Sequence, residues 1–387
     1  MSNNPQPDWD PRSPAVLCDQ IAAYDRMRGR CPVAYSDYLY WSVFRHADVL
    51  RVLEDHDTFS SVVSLHPAIP NGMDPPKHTA YRALIESYFA PDQVQAFEPI
   101  CRGVAVDLID RLSDRGEVEL MGDFARDFAL RIQCAFMGWP AALHEPLREW
   151  TCRNHEATLS GDRAATRAVA LEFDGSVRDL LAARRKAGNA APNDVTSRLL
   201  RERIEDRPLR DEEIVSIVRN WTVGELGTIA ASVGILSHYL ASHPDLQKRL
   251  RQDPSLLPVA IDEILRIHAP LIANRRITTR PVEIAGRRLE AGERISLIWA
   301  SANRDETVFG DPDGFRLDRD PAHNLLYGAG IHVCPGADLA RLELRVVMEE
   351  LLARTSAFGL MPDKAPVRAT YPAGGFTSLA LWIERSS

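Results

Sequence analysis

The sequence predicts a mainly α-helical fold with small β-sheets, built as a single domain of residues 17–387 behind a flexible tail of residues 1–16. Three observations predict it. Apolar residues recur at helical spacing through most of residues 93–205. A second helical run, from Asp211-Glu212-Glu213 to His243-Pro244, holds about 30 residues, or roughly 45 Å, enough to cross such a domain. Strand-like alternation is confined to short stretches in residues 33–43 and 273–297.

Composition narrows the class. Of 387 residues, 45% are hydrophobic and 26% charged, the balance of an ordinary soluble globular protein. A net charge of −8 argues against a general nucleic-acid binder. The first residues are polar and proline-rich, with neither an apolar core nor a basic start, and no run approaches the length of a spanning helix. Neither a signal peptide nor a membrane anchor is expected. The six cysteines (Cys18, Cys31, Cys101, Cys134, Cys152 and Cys334) form no C-x-x-C pair, which suits a reducing cytoplasm.

Taken in order, residues 33–43 allow a short strand or two, and residues 45–58 have the spacing of an amphipathic helix. Residues 59–74, with Pro67 and Pro70, form a short loop. Asp74-Pro75-Pro76 is turn chemistry. A helix then runs to about Phe89 and sets His78 and Arg82 four apart on one face. Helices over residues 93–114, 122–137, 142–158 and 163–187 follow, and residues 188–193 form a surface loop.

In the long helix, Asp211 reads as the N-cap of an acidic first turn. Its interior glycines, Gly224 and Gly227, each cost about 1 kcal/mol relative to alanine. They serve either close helix packing or a bulky neighbour that needs room. Thr228 follows Gly224 by four, so its hydroxyl can bond that carbonyl and bend the helix open. Further on, Glu263 and Arg266 form an i,i+3 pair, worth a few tenths of a kcal/mol (about 0.2–0.5) if exposed. Arg275-Arg276 opens a strand after Pro270, residues 282–284 and 295–297 read as strands paired through Ala291-Gly292, and Gly374-Gly375-Phe376 is a turn.

The most informative stretch is Tyr327-Gly328-Ala329-Gly330-Ile331-His332-Val333-Cys334-Pro335-Gly336, with a helix following. Three glycines around one cysteine let the backbone turn sharply and pass close to a flat object. Pro335 suits the first position of the helix. That puts Cys334 just ahead of free amides that favour a thiolate, and a lone thiolate on such a loop suits axial ligation of haem iron. The bland reading is a buried structural cysteine beside a glycine turn.

The order Gly-x-Gly-x-His-x-Cys-x-Gly before a helix resembles the haem-binding loop of the cytochrome P450 family, with Tyr327 and Pro335 as mild departures. The resemblance covers about residues 35–385 and implies the cytochrome P450 fold with haem b held by Cys334 as the metal ligand. It further implies that Gly224, Tyr327 and Gly328 border the haem and that His78, Arg82, Arg276 and His332 meet its propionates. Glu263, Arg266 and Arg319 become a buried structural network. Thr228 becomes the catalytic hydroxyl that passes protons, yet Gly227 stands where the family has an acid, which leaves Glu225 as an indirect helper. Val223, Ile272, Ala273 and Phe376 are the implied substrate contacts.

The implied function is a soluble, cytoplasmic monooxygenase that inserts one oxygen atom of O2 into a hydrophobic small molecule. The chain ends at Ser387 without a flavin or iron–sulfur module, so electrons are expected from a separate ferredoxin or flavodoxin with its reductase, docking near Arg341 and Arg345. Gly227 keeps open a peroxide-using or non-hydroxylating natural-product oxidase. A non-catalytic haem-binding protein is the remaining alternative.

Overall fold

In the computed structural model, which describes residues 5–64, 67–112 and 116–385, helices dominate and the strands gather into one five-stranded sheet and smaller ribbons. Residues 1–4 of the expected tail, two residues of the 59–74 loop and the end of the helix expected to reach residue 114 lie outside the described residues. The rest of the tail is docked from Asp8 onward. Asp8 and Tyr35 exchange hydrogen bonds of 2.9 and 2.8 Å, and Trp9 packs edge-on against Phe44 at 5.4 Å.

The long helix spans Asp211–Ser242 and is buried along most of its length. Its cap is Arg210 rather than Asp211: the Glu213 carboxylate accepts the Arg210 amide at 2.8 Å, closing a capping box. Around it pack the helices Pro91–Asp110, Arg126–Met137, Leu257–His268 and Ala337–Arg354. The helix Arg163–Ala187 starts and stops where the sequence places it, capped by the Asp162 carboxylate.

On the other side lies the sheet, ordered Val33–Ser36, Tyr40–Val43, Arg294–Ile298, Ala273–Thr278 and Phe59–Ser60. One expected pairing is corrected. Val282–Ile284 pairs with Arg287–Leu289, whereas Arg294–Ile298 joins Ala273–Thr278 and Tyr40–Val43. The hairpin closes at Ala285-Gly286, where both residues have positive φ (45° and 76°), the geometry whose twist matches a two-residue β-turn. Gly292 is a separate turn at φ 85°.

The strand–helix meander before the cysteine loop is tied down by charge. Glu263 accepts from Arg266 at 2.7 Å and from Arg319 at 2.7 Å, with Glu263 5% and Arg266 1% exposed. Arg266 also donates to the carbonyls of Asn303 and Pro312, and Arg319 to those of Phe309 and Gly314. Arg319 donates to the Asp311 carbonyl as well, so the pair expected from its spacing is a buried network stitching five meander carbonyls to one helix. Glu263→Ala strands two desolvated guanidinium groups and is expected to destabilise the fold by about 3–5 kcal/mol. Denaturant unfolding checks this: the midpoint should fall at an unchanged slope.

Candidate active site

The cysteine loop is held by its own backbone. The Cys334 amide donates to the Tyr327 carbonyl at 2.8 Å, and Gly328 and Gly330 take φ values of 78° and 67° that L side chains rarely adopt. A Cβ on Gly330 would run into the Leu53 carbonyl oxygen. The helix begins at Ala337 with Gly336 as its cap, so Pro335 precedes the helix instead of opening it. Arg82, expected among the cavity cations, donates to the Val333 carbonyl at 2.6 Å and pairs with Glu86 at 2.7 Å. It braces the loop from outside.

Cys334 is accessible yet deep, because its sulfur faces an interior cavity of about 310 Å³. Burial pushes its thiol up, against the Gly336 N–H and the Arg82 and Arg341 charges that pull it down. The expected thiolate is therefore not a property of the loop alone. A cation at the sulfur has to supply the rest.

Opposite Cys334 lies the long helix. Thr228 bonds the Gly224 carbonyl at 2.6 Å, the back-bond its spacing predicts, and Gly224, Glu225, Thr228 and Ile229 line the cavity. A Cβ on Gly224 would meet nothing within 4 Å, so this glycine keeps space open and is not a packing contact. Phe89, Phe136 and Trp221 form an aromatic wall, with Phe89 and Phe136 stacked at 5.6 Å.

The expected substrate contacts are largely displaced. Val223 is 48% exposed and lies off the lining. Ile272 and Phe376 border a separate small cleft, where Phe376 lies over His238 at 4.5 Å. On the strand side Leu271, Asn274 and Arg276 reach the cavity, and Ala273 does not. Within the strand Ala273–Thr278, faces alternate every residue, so Asn274 and Arg276 share the inward face and Ala273 takes the other. Arg275 faces away toward Tyr371 and Tyr38, which leaves Arg276 as the inward arginine.

Arg276, His332 and His78 gather at one edge of the site, with Asp74 as the nearby acid. Arg276 is 4% exposed and donates to the Arg275 carbonyl at 2.7 Å; burial lowers its pKa to about 10, with Asp74 partly opposing. His332 is pushed down to about 3 by burial and then by Arg276 and His78, and its Nε2 has no partner. His78 is 3% exposed, has an unpartnered Nε2 and crosses His332 edge-on at 4.4 Å. Burial followed by Arg82 holds its pKa below the ordinary histidine value.

A family model described as Cytochrome P450 matches residues 143–366. This chain belongs to the cytochrome P450 family. It is 33% identical to a probable cytochrome P450 127A1 of Sinorhizobium fredii, over 84% of this chain and 79% of that one. It is also 33% identical to an erythromycin C-12 hydroxylase of Saccharopolyspora erythraea, over 87% and 88%. The crystal structure of CYP109E1 from Bacillus megaterium in complex with corticosterone superimposes with a TM-score of 0.84 at 26% identity, covering 94% of this chain and 98% of that one. The protein is accordingly a haem-thiolate monooxygenase whose cofactor is haem b.

The residues present fit that cofactor. Haem b carries two carboxylates; among the described residues Arg276 and His78 are buried, and the Nε2 atoms of His78 and half-buried His332 have no partner. Its iron takes a sulfur ligand, and Cys334 presents one across the cavity from Thr228. The indole of Trp299, with its unpartnered N–H, and Asn303 also line this space and escaped the sequence reading. Gly328 marks Trp299, since a Cβ there would stand 3.3 Å from its ring.

Sequence reasoning also missed Glu343. It is fully buried on the helix after the cysteine loop, and its side chain meets that of Glu225 within hydrogen-bonding reach. The basic docking face expected at Arg341 and Arg345 is neutralised. Arg341 pairs with Asp262 at 3.0 Å and Arg345 with Glu98 at 2.6 Å.

Gly330→Ala forces both a strained φ and a displaced Leu53 carbonyl, a cost of about 1–3 kcal/mol at the loop. The expected outcome is faster haem loss, timed by transfer of haem to an excess of an apo-globin.

Proposed function

We propose that this cytochrome P450 oxygenates a bulky, mostly apolar small molecule using O2 and electrons from a separate ferredoxin or flavodoxin with its reductase, in the cytoplasm. The observation that carries this reading is the cavity that sets the Cys334 sulfur against the helix bent open at Gly224 and Thr228. Bound haem supplies the reductive activation of O2 and the transfer of an oxygen atom to carbon.

In this reading Cys334 would hold the haem iron through its sulfur, and the Gly336 N–H directed at that sulfur would moderate the charge there. Arg276, His332 and His78 hold the propionates, with Arg82 fixing the loop through the Val333 carbonyl. Gly224, Tyr327 and Gly328 shape the walls against the macrocycle. Thr228 keeps its hydroxyl proton on the Gly224 carbonyl, so its oxygen lone pairs are free to hold a water and receive a proton. Leu271, Asn274, Ile229 and the aromatic wall of Phe89, Phe136 and Trp221 meet the substrate, excluding water around the reacting carbon. An erythromycin hydroxylase and a corticosterone complex among similar proteins support a large substrate of polycyclic or macrocyclic size.

Reduction under carbon monoxide is expected to give the absorption of a thiolate-ligated haem, lost in Cys334→His. Thr228→Ala should cut product formed per electron consumed by roughly tenfold or more, with substrate affinity little changed. Turnover by hydrogen peroxide alone that outpaces turnover with redox partners would favour the peroxide-using reading that Gly227 leaves open.

A further inference from the structure

Glu225 projects from the long helix into the cavity wall, and Glu343 projects toward it from the helix that follows Cys334. Glu343 is 0% exposed, and neither of its carboxyl oxygens has a partner when both groups are taken as ionised; the same holds for Glu225 Oε1. Among the described residues no arginine, lysine or histidine pairs with either one. The titratable groups facing them are Cys101 from the helix Pro91–Asp110, and Tyr327 and Cys334 from the loop. Each of these is neutral or, if ionised, negative. Two dry carboxylates in contact without a cation cannot both keep their charge; a proton between them turns repulsion into a hydrogen bond.

We propose that Glu225 and Glu343 hold a proton between them and that Glu225 delivers it into the haem cavity, replacing the acid that Gly227 lacks. The inference rests on the monooxygenase reading for its purpose and on the carboxyl contact for its existence. The transfer moves one proton and no electrons. The O–H bond of Glu225 breaks and a cavity water hydrogen-bonded to Thr228 takes the proton while passing one onward. Delivery leaves both carboxyls ionised, and their repulsion draws one proton back from bulk solvent through the cavity waters, which restores the shared pair. Glu225 is the catalytic member, and Glu343 is a positioning residue that acts through it.

The direction of titration agrees. Burial, the largest cause, raises Glu225 from 4.5 to about 7, and burial followed by Glu225 raises Glu343 well above its ordinary value. Folded protein therefore binds more protons than unfolded protein between pH 4.5 and about 7. The pair's stabilising contribution is complete below that window and is lost as pH rises through it.

The test uses the haem-loaded enzyme. Infrared spectra of wild type should show the carbonyl stretch of a protonated carboxyl that survives above the ordinary glutamate range and titrates near pH 7. The band should be absent in the double variant E225Q/E343Q, and each single variant should titrate at lower pH because its like-charged neighbour is gone. Glu225→Gln should reduce product per electron by roughly tenfold or more, with the carbon monoxide spectrum unchanged. Glu343→Gln, which leaves the cavity wall intact, should shift the pH profile of that ratio downward, and Glu343→Asp should restore it.

No carboxyl band in wild type overturns the shared proton, and this is read whether or not the enzyme turns over. A normal band with unaltered product yield and pH profile in E225Q/E343Q overturns delivery. Failure of the thiolate signature instead overturns the monooxygenase reading and leaves the infrared result standing by itself.

Discussion

Arg276 is nearly dry, touches a backbone carbonyl and stands beside buried His78 and half-buried His332, and among the described residues no carboxylate forms an ion pair with any of the three, Asp74 acting on them only from a distance. Removing charge from water costs several kcal/mol per ion unless a partner compensates, roughly as much as a domain's whole margin of stability. The cavity edge is thus completed by something the chain does not encode. Haem b brings two carboxylates, and under the proposed function these would complete the pairing. The histidines stay neutral, the loop glycines leave the macrocycle its thickness, and the sulfur waits for a cation on the opposite side.

The sulfur illustrates a contest of two effects. A helix start favours a thiolate by dipole and amide, which is what the order Cys-Pro-Gly before a helix suggests. Depth in the cavity opposes it, and depth wins at Cys334. Ligand and metal charge consequently depend on one another, and the scaffold invests in aiming the sulfur. Glu263, Arg266 and Arg319 provide that aim by fixing the carbonyls of the meander that leads into the loop.

What could be read in advance was local. The back-bond of Thr228 follows from a four-residue spacing, the loop from its glycines, and the limits of Arg163–Ala187 from apolar periodicity and the loop composition of residues 188–193. The misplacements share a cause: each needed knowledge of which way a side chain points. Asn274 was passed over for its neighbour Ala273 because a period of two gives alternation without phase, and Leu271 and Ile272 precede the strand, where no such period applies. Val223 sits one residue from Gly224, which on a helix is about 100° of rotation, enough to carry it outside. Glu343 had no local signal at all. Its meaning comes from Glu225, more than a hundred positions earlier, and only packing brings the two together.

The inward face of the strand Ala273–Thr278 carries Asn274 and Arg276 two positions apart, hydrogen-bonded into the sheet at Leu297 and Ile295. A strand advances about 3.3 Å per residue, so the two side chains stand roughly 6.6 Å apart on a stiff support. Under the proposed function one end of that interval would meet the prosthetic group and the other would offer an amide to whatever lies above it. The strand would then serve as a ruler: a guest that anchors a polar atom on Asn274 would have its carbons counted off at a fixed offset from the cofactor. Which carbon is attacked would then follow from the guest's own dimensions.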